Sequence, residues 1–135
     1  MQISRELTDS AINLFRGKNF GFIASLMNDG SPQLTPVWID YDGQFLLVNT
    51  AEGRTKQKNF ARDPRVAISV IDQTNPYNMV SIRGKVVQQT SDGADEHIDK
   101  LAKRYLGVDK YPLRVPDEKR IILKIKPEKI FQMSI

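Results

Sequence analysis

Two Asp-Gly pairs, Asp29-Gly30 and Asp42-Gly43, constrain this chain more than any other feature, because each lies between runs that read as strands. Such a pair is the strongest short-range signal for a tight hairpin, since the turn needs a left-handed residue and glycine supplies it without steric cost. Residues 20–27 precede the first pair and residues 33–41 lie between the two. Residues 44–50 follow the second, and their Phe45-Leu46-Leu47-Val48 run reads as a strand buried on both faces. Three strands joined by two such turns predict an antiparallel meander.

The alternation continues downstream. Residues 65–72 set Val66, Ile68 and Val70 against Ala67 and Ser69, as a half-buried strand does. Residues 79–89 place Val80, Ile82 and Val86 on one face, and Gly84 interrupts it, which marks a bulge or a close backbone approach. Residues 119–126 read as another strand and residues 130–135 as one more. Helical spacing appears in three places. In residues 4–16, Leu7, Ala11, Leu14 and Phe15 recur with Ser4 as the expected N-cap and Gly17 as the stop. Residues 53–62 are helical and basic, ended by Asp63-Pro64 because the residue before proline is pushed out of the helical region. Residues 92–106 carry Ile98, Leu101, Ala102, Tyr105 and Leu106 on one stripe, with Asp92 as the expected cap and Gly107 as terminator. The strands dominate and the helices interrupt them. The expected fold is therefore mainly β: one domain over residues 1–135, a closed or nearly closed antiparallel β-barrel with peripheral helices that removes the sheet edges.

Composition narrows the function classes. With no cysteine, disulfides, thiolate metal sites and cysteine nucleophiles are excluded, and a single histidine leaves no cluster for zinc. No apolar segment approaches the roughly 18 residues of a membrane helix, and no basic stretch followed by an apolar run opens the chain. A soluble cytoplasmic protein without a membrane partner is expected. The net charge of +4 favours anionic partners, but the aromatics are scattered rather than interleaved with the basic residues, which speaks against nucleic acid.

Two segments carry chemistry. In residues 49–59, Asn49 and Thr50 end a strand, Gly53 permits a sharp turn, and a helix begins whose first turn carries Arg54, Thr55 and Lys56. Free backbone N–H groups and the positive end of the helix dipole favour an anion there, Arg54 and Lys56 add charge, and Thr50 and Thr55 add hydroxyl donors. This is a phosphate site in outline, with Glu52 required to point outward or to pair with Arg54; a solvated basic surface helix is the other reading of the same residues. The second segment is Gln33, Leu34, Thr35, Pro36, Val37 and Trp38. Pro36 removes one backbone donor from an otherwise clear strand, which suits an edge or a bulge and frees neighbouring amides and carbonyls for a heterocycle. A barrel edge with Trp38 filling core or a subunit interface reads equally well from pattern alone.

The order Asp-Gly-x-Pro, Gln33 to Trp38, Arg54-x-Lys56-x-x-Asn59, Asp63-Pro64-Arg65-Val66, Asn75-Pro76-Tyr77 and Arg83-Gly84 resembles the pyridoxamine 5′-phosphate oxidase-like superfamily of FMN-binding split β-barrel flavoproteins. More narrowly, residues 63–87 followed by 93–112 are similar to its branch of coenzyme F420 enzymes. The resemblance implies that Gln33 to Trp38 lie along the ring and ribityl chain, that Asn49 and Thr50 hydrogen-bond the cofactor, and that Lys56 binds its phosphate. It places Asn59 in the same motif. It also implies a homodimer with the cofactor between subunits. Thr55 stands where the true oxidase has a phosphate-binding arginine, with Arg54 beside it as a substitute. The oxidase's C-terminal arginine and histidine segment has no counterpart before Ile135, which argues against pyridoxamine phosphate as substrate.

The expected function is an oxidoreductase that transfers hydride to a small organic substrate. Coenzyme F420 is the first cofactor and FMN the alternative, since both carry a ribityl phosphate. The basic group Arg54, Lys56, Lys58 and Arg62 would complement the deazaflavin's oligoglutamate tail. A flavin-dependent reductase or oxidase, a cofactor carrier without catalysis and a small basic nucleic-acid-binding barrel are the other readings. No side chain is required as a nucleophile. His97, beside Glu96 and Asp99, reads as lying on the exposed stretch of its helix, and Tyr77 and Arg83 are better candidates for contacts near ring or substrate.

Overall fold

A computed structural model describes residues 6–135 in full and residues 2–4 by their backbone. The elements run β1 (Gln2–Ser4), α1 (Asp9–Arg16), β2 (Phe20–Leu26), β3 (Pro32–Trp38), β4 (Asp40–Tyr41), β5 (Leu46–Ala51), α2 (Thr55–Arg62), β6 (Arg65–Ile71), β7 (Met79–Thr90), α3 (Ala94–Leu106) and β8 (Arg120–Met133). The strands form one eight-stranded antiparallel sheet in the order β3-β2-β6-β7-β8-β5-β4, with β1 added to the far end of β8. Its two terminal strands, β3 and β4, are successive pieces of one chain run with only Ile39 between them. The sheet thus curls until its edges are joined by the backbone itself, which is a split β-barrel.

Both Asp-Gly turns form, with Gly30 at φ +86° and Gly43 at φ +98°. The aspartates hold them: Asp29 Oδ1 accepts from Ser31 N at 3.0 Å, and Asp42 Oδ1 accepts from the amides of Gln44 and Phe45. The expected side-by-side meander does not follow. Residues 32–38 pair with β2, whereas Asp40 and Tyr41 pair with β5, so the two hairpins sit at opposite ends of the strand order. The switch falls at Ile39, which is fully buried and whose amide is satisfied by the Tyr105 hydroxyl at 3.1 Å rather than by a ladder partner.

Three boundaries also differ from expectation. Ser4 belongs to β1, paired with Ile130, and α1 starts later: Thr8 is its N-cap, accepting from Ala11 N at 3.2 Å. Gly93, not Asp92, occupies the N-cap position of α3. Residues 120–133 form one strand where two were expected. Pro127 is tolerated because it lies opposite Gly84 at a register shift, where the ladder is already interrupted. A second shift between Val86 and Gln88 adds to the curl of this long pair.

Inside the barrel, Ile23, Val48, Ile68, Val70, Val80, Ile82, Leu123 and Ile125 meet Leu14 and Phe15 of α1 in one core. The inward sets expected for β6 and β7 are the buried ones. Outside the barrel, α3 lays Ile98, Leu101 and Tyr105 against Trp38 and Tyr111. Among the described residues no helix is long and apolar enough to cross a membrane.

Candidate functional site

Where β3, the end of β5, the start of α2 and the start of β8 converge, they enclose a cleft of about 220 Å³. Trp38 and Tyr111 make an aromatic wall, meeting edge to face at 5.9 Å between ring centroids, and Trp38 stacks on Tyr105 at 5.1 Å. Opposite them stand polar groups from the strand ends. β5 and β8 pair with Asn49 opposite Ile122 and Ala51 opposite Arg120, so the last residues of one strand and the first of the other share one rim. Arg120 is only 4% exposed. Its Nε donates to Asn49 Oδ1 at 2.9 Å, its Nη1 donates to Glu118, and its guanidinium lies 5.2 Å from the centroid of the Tyr111 ring.

The cleft is electropositive. Arg54, Lys56 and Arg120 all line it, and the two arginines share one carboxylate, Glu118, which pairs with Arg54 at 3.3 Å and with Arg120. Lys56 has no ion pair among the described residues. Burial first, then repulsion from Arg54 and Arg120, pushes its ammonium below the usual lysine range. No side chain caps α2, so the donors of its first turn, beside Lys56, keep their capacity for an anion. Thr50, a lining residue, keeps its Oγ1 buried without a hydrogen-bond partner, and Thr35 Oγ1 is buried and unpartnered in β3. A buried hydroxyl without a partner costs about 1–3 kcal/mol, and of these two residues only Thr50 lines the cleft. Aromatic wall, unpaired cation, uncapped helix start and orphaned hydroxyl together fit a flat heterocycle with an anionic tail.

Of the residues singled out from sequence, Pro36, Val37, Trp38, Asn49, Thr50, Arg54 and Lys56 line this cleft. Five others do not. Gln33 accepts from Ser25 Oγ at 3.0 Å, Leu34 is exposed on the outer face, and Thr35 lies next to the lining. Thr55 is exposed at the first position of α2. Asn59 is buried one turn further on, where its Nδ2 donates to Ser25 Oγ at 2.9 Å and its Oδ1 accepts from Arg62, tying α2 to β2. Glu52 is exposed, and Arg54 pairs with Glu118 rather than with it.

His97 is not exposed. It is 8% accessible, with Nε2 3.1 Å from Asp40 Oδ2 and Nδ1 3.2 Å from Asn49 Nδ2. The signal was present: residue 97 falls on the stripe of Ala94, Ile98, Leu101, Ala102 and Tyr105, and its acidic neighbours obscured this. Tyr77 is exposed in the turn before β7. Arg83 lines a different and larger depression of about 400 Å³ on the outer face of β2, β6 and β7, which lacks the aromatic wall. Arg120, Tyr111, Leu113 and Phe20 are lining residues that the sequence did not reveal. Arg120 and Asn49 are 71 residues apart, and only the pairing of β5 with β8 brings them together.

The family profile described as pyridoxamine 5′-phosphate oxidase matches residues 7–134. Among solved structures, one described as an F420 reductase superposes with a TM-score of 0.80 at 29% identity, covering 93% of this chain and 98% of that one. General Stress Protein 26 from Bacillus anthracis str. Sterne superposes with a TM-score of 0.69 at 17% identity, covering 93% and 92%. HupZ of Group A Streptococcus does so with a TM-score of 0.66 at 18% identity, covering 94% of each chain. The last two speak to the fold alone.

Proposed function

Because this chain belongs to the pyridoxamine 5′-phosphate oxidase family, we propose that its cleft holds a flavin-type cofactor by a ribityl phosphate tail and serves hydride transfer to a small organic molecule. The observation that carries this is the set of groups left unsatisfied in one place: Lys56 without a counter-ion, the uncapped start of α2 and the orphaned Thr50 hydroxyl. Lys56 and the free amides at the start of α2 would together hold the phosphate. Thr50 and Asn49 would hold the ribityl chain, and Trp38 and Tyr111 would form the apolar wall for a ring. Hydride transfer is the chemistry such a cofactor supplies when bound, and the chain supplies orientation and exclusion of water.

Coenzyme F420 is the first reading and FMN the second. The likeness to the F420 reductase structure supports the deazaflavin, as does the exposed charge of Lys58, two residues after Lys56 in α2. Arg62 contributes less, because its Nη2 is held by Leu26 O. A second copy of this chain belongs to the same proposal. Phe22 and Leu34, 43% and 65% exposed, lie on the outer face of adjacent strands, and Phe20, which lines the cleft, is itself 47% exposed. An apolar sheet face beside a half-open cleft is a natural seat for a partner subunit.

The test is a binding titration of two variants. Lys56→Ala should lose about ten-fold or more in affinity for both cofactors, the usual scale for one charge-assisted contact. Lys58→Ala should weaken only the tailed deazaflavin. Unchanged affinity in Lys56→Ala would remove the phosphate site from the place assigned to it.

A further inference from the structure

A file of hydrogen bonds leads from the cleft into the protein, and the direction of each link is determined. Arg120 Nε can only donate, and it lies 2.9 Å from Asn49 Oδ1. That orients the amide, so Asn49 Nδ2 faces Ala94 O at 2.8 Å and His97 Nδ1 at 3.2 Å, with one hydrogen for each. The Ala94 carbonyl can only accept, and turning the amide over would set oxygen against oxygen there and donor against donor at Arg120. His97 Nδ1 is therefore the bare, accepting nitrogen. Its ring proton sits on Nε2 and is donated to Asp40 Oδ2 at 3.1 Å. Asp40 is 2% exposed; its other oxygen accepts from Arg104 at 2.9 Å, and Lys100 Nζ stands 3.3 Å from Oδ2.

We propose that His97 is a positioning residue of the cofactor cleft: its ring, protonated on Nε2 and anchored to Asp40, holds the Asn49 amide and, through it, the Arg120 guanidinium in the orientation they present to the ligand. His97 does not line the cleft, whereas Asn49 and Arg120 do, so its effect passes entirely through them. Nothing else among the described hydrogen bonds fixes the Asn49 side chain apart from the Ala94 carbonyl and Arg120 itself. The inference rests on the proposed cofactor site.

The chain has one histidine, so two-bond ¹⁵N–¹H correlation of imidazole-labelled protein reports this ring alone. The expected spectrum is that of the Nε2–H tautomer, with the Nδ1 resonance moving when the wild-type protein is saturated with F420 or FMN. In parallel titrations, His97→Leu should bind about ten-fold more weakly, because an amide donor is left without its acceptor. His97→Gln, whose amide offers an acceptor and a donor on neighbouring atoms, should stay within about three-fold of wild type. A spectrum showing Nδ1–H, an Nδ1 resonance indifferent to saturation, or wild-type affinity in His97→Leu overturns the inference. If His97→Leu does not fold, the wild-type spectrum and His97→Gln decide. Should the wild-type protein bind neither cofactor, the functional reading falls and this one with it. Binding by wild type with unchanged affinity in His97→Leu overturns this one alone.

Discussion

Lys56 shows how a single side chain can cost stability and serve binding at once. It is half-buried, beside Arg54 and Arg120, without a carboxylate partner, and its ammonium loses its proton more readily than a lysine in water. A base with a depressed folded-state pKa is protonated more readily in the unfolded chain, so at neutral pH its charge opposes folding. Lys56→Met should therefore raise the thermal midpoint of the ligand-free protein while weakening cofactor binding. Calorimetry with and without ligand reads both signs, and a lower midpoint without ligand would show that the charge is compensated by something other than an anion. Gly84 is the opposite case, a residue with no chemistry and a strict steric role. A Cβ there would lie 2.0 Å from Lys126 O, a backbone atom that cannot swing aside. Gly84→Ala should cost about 2–3 kcal/mol in urea unfolding, at the upper end of overpacking effects. The interruption at Gly84 was legible in the sequence because a lone glycine broke an alternating face. The strand that approaches it was not, because Lys126 is remote in the chain.

At the scale of elements, α3 is docked by one carboxylate. Asp40 of β4 receives His97, Lys100 and Arg104, all from α3. Burial alone would raise its pKa, but the hydrogen bonds from His97 and Arg104 outweigh burial and hold the carboxyl well below the usual carboxylate range. The folded protein thus binds this proton less readily than the unfolded chain, whose aspartates titrate near ~4. Its contribution is complete at neutral pH and is lost as the pH falls through the acid range below about 4. Asp40→Asn should lose about 3 kcal/mol at pH 7, as expected on breaking a buried ion pair, and should lose less further stability than wild type between pH 5 and pH 3. Urea unfolding at several pH values measures this, and parallel acid profiles for the two proteins would contradict it. The helix was readable from its apolar stripe; its attachment was not. Asp40 reads only as a residue near the end of the 33–41 strand, while the groups paired with it arrive from 57 to 64 residues away.

On the scale of the whole molecule, local pattern carried the hairpins, the helices and the inward faces of β6 and β7, because each depends on neighbours in sequence. It did not carry the split at Ile39 or the pairing of β8 with β7, β5 and β1, which are decided by which edges meet when the sheet curls. The cleft divides the same way. Asn49, Thr50, Arg54 and Lys56 follow one another along the chain and were found together, whereas Arg120 and Tyr111 enter from β8 and the loop before it. The apolar outer face gives a prediction at this scale. Leu34→Glu, at an exposed position, should leave the fold intact by circular dichroism yet shift sedimentation from the proposed dimer to monomer and weaken cofactor binding. An unchanged sedimentation coefficient would separate the cleft from any partner subunit.

Ligands that differ only in the tail separate recognition of a ribityl phosphate by this cleft from recognition of the ring. The purified protein is titrated with F420, FMN and riboflavin, the last having the same ring as FMN but no phosphate, and binding is followed by absorbance and fluorescence. Saturable binding of a phosphate-bearing cofactor, with riboflavin weaker than FMN by about ten-fold or more, is the result predicted from charge-assisted contacts at Lys56 and the start of α2. Equal affinity for riboflavin and FMN, or no binding of either phosphate-bearing cofactor, would contradict it.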